Sequence, residues 1–572
     1  MCDPAHRLPL RFSPVLSPGP GSDVTLRRAW LVAAAIAITG CATPSASRSA
    51  DDAMQSARDA AARAERLAGR RQSMNAWLRC AGDAWRAMAS DAPEATQLST
   101  RCTDEVLARA FAQRAHGWKP GATRVEGNDL RVEFRGLSSD LQLPLTLARA
   151  VDIDLGSYGD RQLVRGYGVA LAVMSARCKG TPRCDLNPPE GVFRPAAAWI
   201  EQNAEDEIPT LVITDPFRHP VLATPAGERT LSIDTSAPYA LGAGTSKLNR
   251  LGVWGLLGGR EIGRRAGVYL LDEYDPNKFP IVMIHGLGSS PLIWGRMSNA
   301  IWADPALRAR YQIWHVVYQS DAPLLAVRLR VQRYLDTALR VLDPECDDPA
   351  RRHIVLVGHS MGGVAARMLS VDSGEALWNA AFVVPPTQLH GDPELLATLD
   401  AIFHFRAYPG VGRDIFLATP HHGAPRAETF FSRFVRALVG NNTPEIRGLR
   451  KIAQENPDAM QPDLREIYQR GAINSISTLQ RKQPVRAAGE MLLPGPGIPY
   501  HTIAGVLPGS QPPGDGAVPL ESARIAGAAS TLVIDSHHQI YDNPEAIAEV
   551  LRILHEDLAA PVEASLPGCV GG

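Results

Sequence analysis

The chain holds 572 residues, more than one hydrophobic core usually serves, so two or more domains are expected. Hydrophobic residues make up 45% and charged residues 21%, the balance of an ordinary globular protein. A formal net charge of -1 gives no electrostatic case for nucleic acid as a partner, and there is no Walker A loop, H-E-x-x-H or C-x-x-C pair.

In chain order, Leu26-Arg27-Arg28 puts positive charge before a short apolar run, Ala29 to Ile38. Crossing a bilayer takes about 20 apolar residues, so the run reads as a secretory signal segment, residues 1–40. Ile38-Thr39-Gly40-Cys41 resembles a bacterial lipobox, which implies lipidation of Cys41 and a membrane-anchored lipoprotein of the bacterial cell envelope, facing the periplasm or the surface. The absence of aspartate at Ala42-Thr43 favours the outer membrane, by the same resemblance. Residues 41–75, rich in Ala, Ser, Arg and Asp, read as a tether. Cys178 and Cys184 flank a turn, and Cys80 and Cys102 lie on two helical segments; each pair could form a disulfide, in keeping with export.

Residues 76–264 read as a smaller α+β accessory domain in which no chemistry is visible. Trp77, Leu78, Ala81, Trp85 and Met88 recur at helical spacing. Arg131–Phe134, Val151–Leu155, Thr210–Thr214 and Thr230–Asp234 alternate with period two between Gly, Pro and Asn clusters, the pattern of half-buried strands. The Gly-rich Gly255–Arg264 lacks phosphate-loop spacing and reads as a connection.

From Gly267 onward apolar strands alternate with helices, which predicts a mostly parallel sheet covered on both faces. Pro280–Ile284 runs into His285-Gly286-Leu287-Gly288. Ile313–Tyr318 is followed by an amphipathic helix, Leu324–Leu342. The strand His353–Val357 enters Gly358-His359-Ser360-Met361-Gly362-Gly363, and a helix follows. Strand, G-x-S-x-G, helix is the context of a nucleophile elbow: only small residues fit at Gly358 and Gly362, and Ser360 is raised above the sheet at a helix start. Two later strands end at Asp515 and at His537-His538. A serine hydroxyl needs a base, an orienting acid and an oxyanion hole. Asp515 is the candidate acid, ahead of Asp535, Asp542 and Asp372; Asp542 reads as the cap of the turn before the last helix. His538 or His537 is the candidate base. The backbone N–H groups of Leu287 and Met361 are the candidate oxyanion donors, with His285 ordering the loop that begins His285-Gly286. His359 reads as a spacer within the elbow.

Four segments, His285–Ser290, Gly358–Gly363, Phe416–Gly423 and Asp515–Pro519 with the late histidine, resemble the α/β-hydrolases. Over residues 265–560 the chain is similar to bacterial lipases and esterases related to triacylglycerol lipases and to GPI-inositol-deacylase-like hydrolases. Phe416–Gly423 departs from the family pattern by His422 in place of Arg, with Ala424 in place of Ser just after it. The resemblance implies an α/β-hydrolase fold with cap insertions, a serine hydrolase acting on an ester or lipid substrate without cofactor or metal, and His538 rather than His537 as base. It places a cap or lid at about 424–498, where Phe430-Phe431, Phe434-Val435 and Leu438-Val439 form an apolar stripe; Trp378–Phe405 is a second insertion that could overhang the site, and 561–572 is a tail. Two other functions fit the same residues. One is an amidase or acyltransferase on the same triad; the other is a catalytically silent surface lipoprotein of hydrolase fold.

Overall fold

The computed structural model describes residues 44–90, 93–203, 205–246, 263–423, 443–473, 477–480 and 482–560. The signal segment with Cys41, most of Gly255–Arg264, the stripe from Phe430 to Val439 and the tail lie outside the described residues.

The N-terminal part packs three helices, α1 (Pro44–Arg66), α2 (Gln72–Ala87) and α3 (Pro93–Gln113), on one face of a seven-stranded sheet. Its strands are β1 (His116–Trp118), β2 (Gly121–Val125), β3 (Asn128–Arg135), β4 (Leu145–Arg149), β5 (Val169–Ser175), β6 (Val192–Glu201) and β7 (Thr210–Thr214), in the spatial order β1-β4-β5-β6-β7-β3-β2. Disulfides join Cys80 to Cys102, between α2 and α3, and Cys178 to Cys184.

Three expectations are corrected here. The stretch read as a tether is mostly α1, whose Ala50, Met54, Ala57, Ala61 and Ala64 are buried, so it belongs to the folded body. Small residues three, four and seven apart let two helices approach closely, which composition alone hides. Val151–Leu155 is no strand: it begins in a 3-10 turn, Ala150–Asp152, and has no pairing partner. Thr230–Asp234 is divided between two short antiparallel pairings: Gly227–Thr230 forms a hairpin with Val221–Thr224, and Ile233–Asp234 pairs with the distant Leu163–Val164.

The C-terminal part holds the second seven-stranded sheet: β8 (Gly267–Leu270), β9 (Phe279–Ile284), β10 (Tyr311–Val317), β11 (Ile354–His359), β12 (Val411–Leu417), β13 (Tyr500–Val506) and β14 (Ser530–Asp535). Its order is β8-β10-β9-β11-β12-β13-β14, parallel throughout except for β8 against β10. Strands β9, β10 and β11 are buried along their whole length, as a sheet covered by helices on both faces requires. On one face lie α4 (Leu324–Leu342) and α5 (Met361–Leu369); on the other lies the last helix, α10 (Pro544–Leu558).

The two insertions pack on each other as one helical cap. Between α5 and α10 it contributes α6 (Pro393–Phe403), α7 (Pro444–Glu455), α8 (Pro462–Arg470) and α9 (Pro484–Glu490), around a core including Trp378, Phe382, Phe403, Ile452 and Tyr468. The N-terminal part is bound to the edge of the second sheet by buried polar contacts. Arg194, 3% exposed, donates to the Leu271 carbonyl at 2.7 Å and to Asp140 at 2.9 Å, while Ser138 and Ser139 donate to Glu273 at 2.7 and 2.6 Å.

Candidate active site

Strand β11 ends at His359, and α5 starts at Met361, so one residue makes the whole turn. That residue, Ser360, has φ 54° and ψ -124°, a strained conformation for a non-glycine. The glycines around it are sterically required. A Cβ on Gly358 would meet the Gly363 backbone, and one on Gly362 would meet the carbonyl oxygens of Ile284 and His285. Gly286 lies so close that a Cβ there would sit 3.0 Å from the Ser360 Cβ.

Ser360 Oγ lies 2.9 Å from His538 Nε2, and His538 Nδ1 lies 2.8 Å from Asp515 Oδ2. A buried carboxylate accepts only, so Nδ1–H donates to Asp515, and Nε2 is left to accept the Ser360 hydroxyl. Asp515 is 3% exposed, and its other oxygen accepts the Ala517 and Val518 N–H groups at 2.8 and 2.7 Å. Those bonds fix the carboxylate before it meets the imidazole. His537 is exposed and points elsewhere; its Nδ1 accepts the Gln539 N–H at 3.3 Å. Asp535 is exposed. Asp372 accepts the Ala407 N–H at 2.7 Å. Asp542 does not cap the turn before α10 but ends it, Ile540–Asp542, and the cap of α10 is Asn543, which accepts the Glu545 N–H at 2.8 Å. A side-chain oxygen one residue before the helix start reaches that N–H, and Pro544 fixes the start.

The loop after β9 is held from three sides. The Tyr318 hydroxyl donates to the His285 carbonyl at 2.5 Å, the two rings stack at 4.4 Å, and the Ser320 hydroxyl accepts the Gly288 N–H at 3.0 Å. His285 Nδ1–H donates to the Gly286 carbonyl at 2.9 Å, and burial pushes its imidazole down to about 4, so it is neutral. Among the described residues, neither the Leu287 nor the Met361 backbone N–H has an acceptor.

His359 is more than a spacer. Its Nε2–H donates to the His538 carbonyl at 2.8 Å, and its ring lies 4.9 Å from those of His538 and Tyr541. Burial, helped by His538, pushes the His359 imidazole down to about 3. It therefore braces the loop that carries His538. No sequence signal identifies such a brace, because its partners are about 180 residues away.

Residues 281–550 match the family model of the alpha/beta hydrolase family. Over that stretch, just under half of the chain, the fold is that of the alpha/beta hydrolases. Among solved structures, the chain is similar to the mature lipase BlEst2 of Bacillus licheniformis, at 19% identity over 50% of this chain and 97% of that one, with a TM-score of 0.28. It is similar to lipase 1 of Pelosinus fermentans at 14% identity over 50% of this chain and 100% of that one, TM-score 0.32. It is also similar to the butyrate-bound esterase Est2 of Thermogutta terrifontis, at 14% identity over 52% and 91%, TM-score 0.27. At such identities and TM-scores they carry no argument about substrate. A comparison with curated proteins found no match.

Proposed function

We propose that residues 265–560 are a serine hydrolase cleaving carboxylic esters, an esterase or lipase, through an acyl-enzyme. The observation that carries this reading is the hydrogen-bonded series Ser360, His538, Asp515, with its serine at a strained strand-to-helix turn. His538 takes the hydroxyl proton as Ser360 Oγ attacks the ester carbonyl. Asp515 holds the imidazole tautomer and stabilises the imidazolium. The Leu287 and Met361 N–H groups hold the oxyanion, at about 3 kcal/mol per donor. His538 then gives the proton to the leaving alcohol, and water, activated by the same imidazole, releases the acid. These steps need no cofactor or metal. A fluorophosphonate probe followed by peptide mass spectrometry tests the nucleophile: an adduct on Ser360 is expected, and no adduct on folded protein would overturn the reading and favour a silent binding lipoprotein.

We further propose that the chain is a lipoprotein of the bacterial envelope, anchored through Cys41. The apolar run with its basic flank and the lipobox-like Ile38–Cys41 support this, as do the disulfides, which persist in oxidising compartments. The mass of the native N-terminus decides it: an acylated Cys41 is expected, and a chain retaining residues 1–40 contradicts it.

A further inference from the structure

The cap covers an apolar cavity that does not include Ser360. It opens against Val364 and Arg367, one and two turns further along α5. Leu377, Leu399, Ile402 and Ile446 form aliphatic walls. Of the polar side chains that line it, Glu445 is held by Arg330 and Arg486 by Glu490, whereas Arg367 and His421, 2% and 1% exposed, are not held by any carboxylate among the described residues.

Both are poorly satisfied. Arg367 donates once, from Nη2 to the Gly489 carbonyl at 3.3 Å; its Nε and Nη1 have no partner among the described residues. Neither ring nitrogen of His421 has a partner among them. Buried donors without acceptors are costly, and a buried cation without an anion more so. Among the described residues no carboxylate hydrogen-bonds the Arg367 guanidinium, although Glu490 acts on its charge from nearby. Asp414 accepts the Ser370 hydroxyl at 2.8 Å and makes no hydrogen bond to Arg367; burial pushes its carboxyl up to about 8, which leaves it protonated at neutral pH. Glu490 is held by Arg486 at 2.7 Å and His422 at 2.5 Å. Burial lowers Arg367 only to about 10, so the guanidinium stays charged.

We propose that this cavity is a binding site for an aliphatic carboxylate, with the chain along the apolar walls and the carboxylate on Arg367 and His421. A guanidinium offers paired donors that match a carboxylate, and a neutral imidazole adds one more. The aliphatic walls exclude a strongly hydrated anion such as phosphate as the better fit. The carboxylate is either this chain's own hydrolysis product or one taken up from outside.

Calorimetric titration of the full chain carrying Ser360→Ala, with decanoate, decan-1-ol and decyltrimethylammonium, tests the site without turnover. One decanoate per chain is expected, bound at least tenfold more tightly than the alcohol, with no binding of the cation. Arg367→Met should erase the preference for decanoate over decanol. Leu399→Trp, on the opposite wall, should abolish both and covers the case in which Arg367→Met does not fold. Decanoate binding no tighter than decanol, or undiminished in Leu399→Trp, overturns the proposal. Desalting after incubation with a decanoate ester separates the sources. Decanoate retained by the unmodified chain but not by Ser360→Ala marks its own product; decanoate bound only when added marks an outside ligand; neither is the negative result. The fluorophosphonate adduct on Ser360 is read separately, so failure of this site leaves the hydrolytic reading standing.

Discussion

At the scale of single residues, the account turns on how few atoms fix His538. Its imidazole is held by Asp515, its backbone carbonyl by His359. Replacing His359 with Phe keeps a ring between His538 and Tyr541 but removes the donated hydrogen bond. A displacement near 1 Å can cost about 10²-fold in rate. His359→Phe is therefore expected to lower kcat about ten- to a hundred-fold with KM little changed, measured on any ester that the chain hydrolyses. An unchanged kcat would return His359 to the spacer that the elbow motif suggests. Ser360 was legible in the sequence because strand, tight turn and helix are contiguous there and the glycines announce the turn. The choice between His537 and His538 was not, since adjacent residues past a strand end face opposite ways and the following 3-10 turn, Ile540–Asp542, sets which faces the serine.

At the scale of elements, α10 is locked under the sheet by one carboxylate. Asp557, 4% exposed, accepts the Tyr311 hydroxyl at 2.6 Å, His353 Nε2 at 2.7 Å and Arg413 Nε at 2.6 Å. Burial alone would raise its pKa; the bonds from His353, Tyr311 and Arg413 outweigh that and hold it at about 2. Removing it leaves the buried Arg413 guanidinium without its closest anion. Asp557→Ala should destabilise the C-terminal part by about 3–5 kcal/mol, read from the urea midpoint. A loss under about 1 kcal/mol would mean that the helix is held by apolar packing alone. Strand patterning explains which elements sequence reading finds. β11 stands out as an apolar run bounded by turns, whereas β7, expected to be half-buried from its alternation, is buried at every residue. β5 and β6 are buried on nearly every residue, lack alternation, and so escape a period-two search. Helix α1 was misread because alanines at contact spacing look, by composition, like a linker.

At the scale of the whole molecule, five of the histidines among the described residues are buried in neutral form. Burial pushes His285 and His501 down to about 4, His315 and His359 down to about 3, and His421 well below its ordinary value. The unfolded chain binds protons on them near pH 6.5 while the folded chain does not, so unfolding takes up protons as pH falls. They cost no stability above about pH 6.5; below it each destabilises the fold by up to about 1.4 kcal/mol per pH unit, down to about pH 4 for His285 and His501 and to about pH 3 for His315 and His359. The melting temperature is expected to fall steeply from pH 6.5 to 5; a level profile down to pH 5 would contradict the buried neutral state. Chain length made more than one core legible, and the structure holds two seven-stranded sheets. The contacts that fasten the two parts together were not legible, since Arg194 and Leu271 lie 77 residues apart with no local pattern joining them.

The most direct test of the central claim is hydrolysis of p-nitrophenyl esters, from short to long acyl chains, by the chain and by Ser360→Ala. Serine ester hydrolysis predicts measurable turnover with a chain-length optimum, and a loss on the order of 10⁴–10⁶ in kcat in the variant. Turnover that survives in folded Ser360→Ala would contradict it.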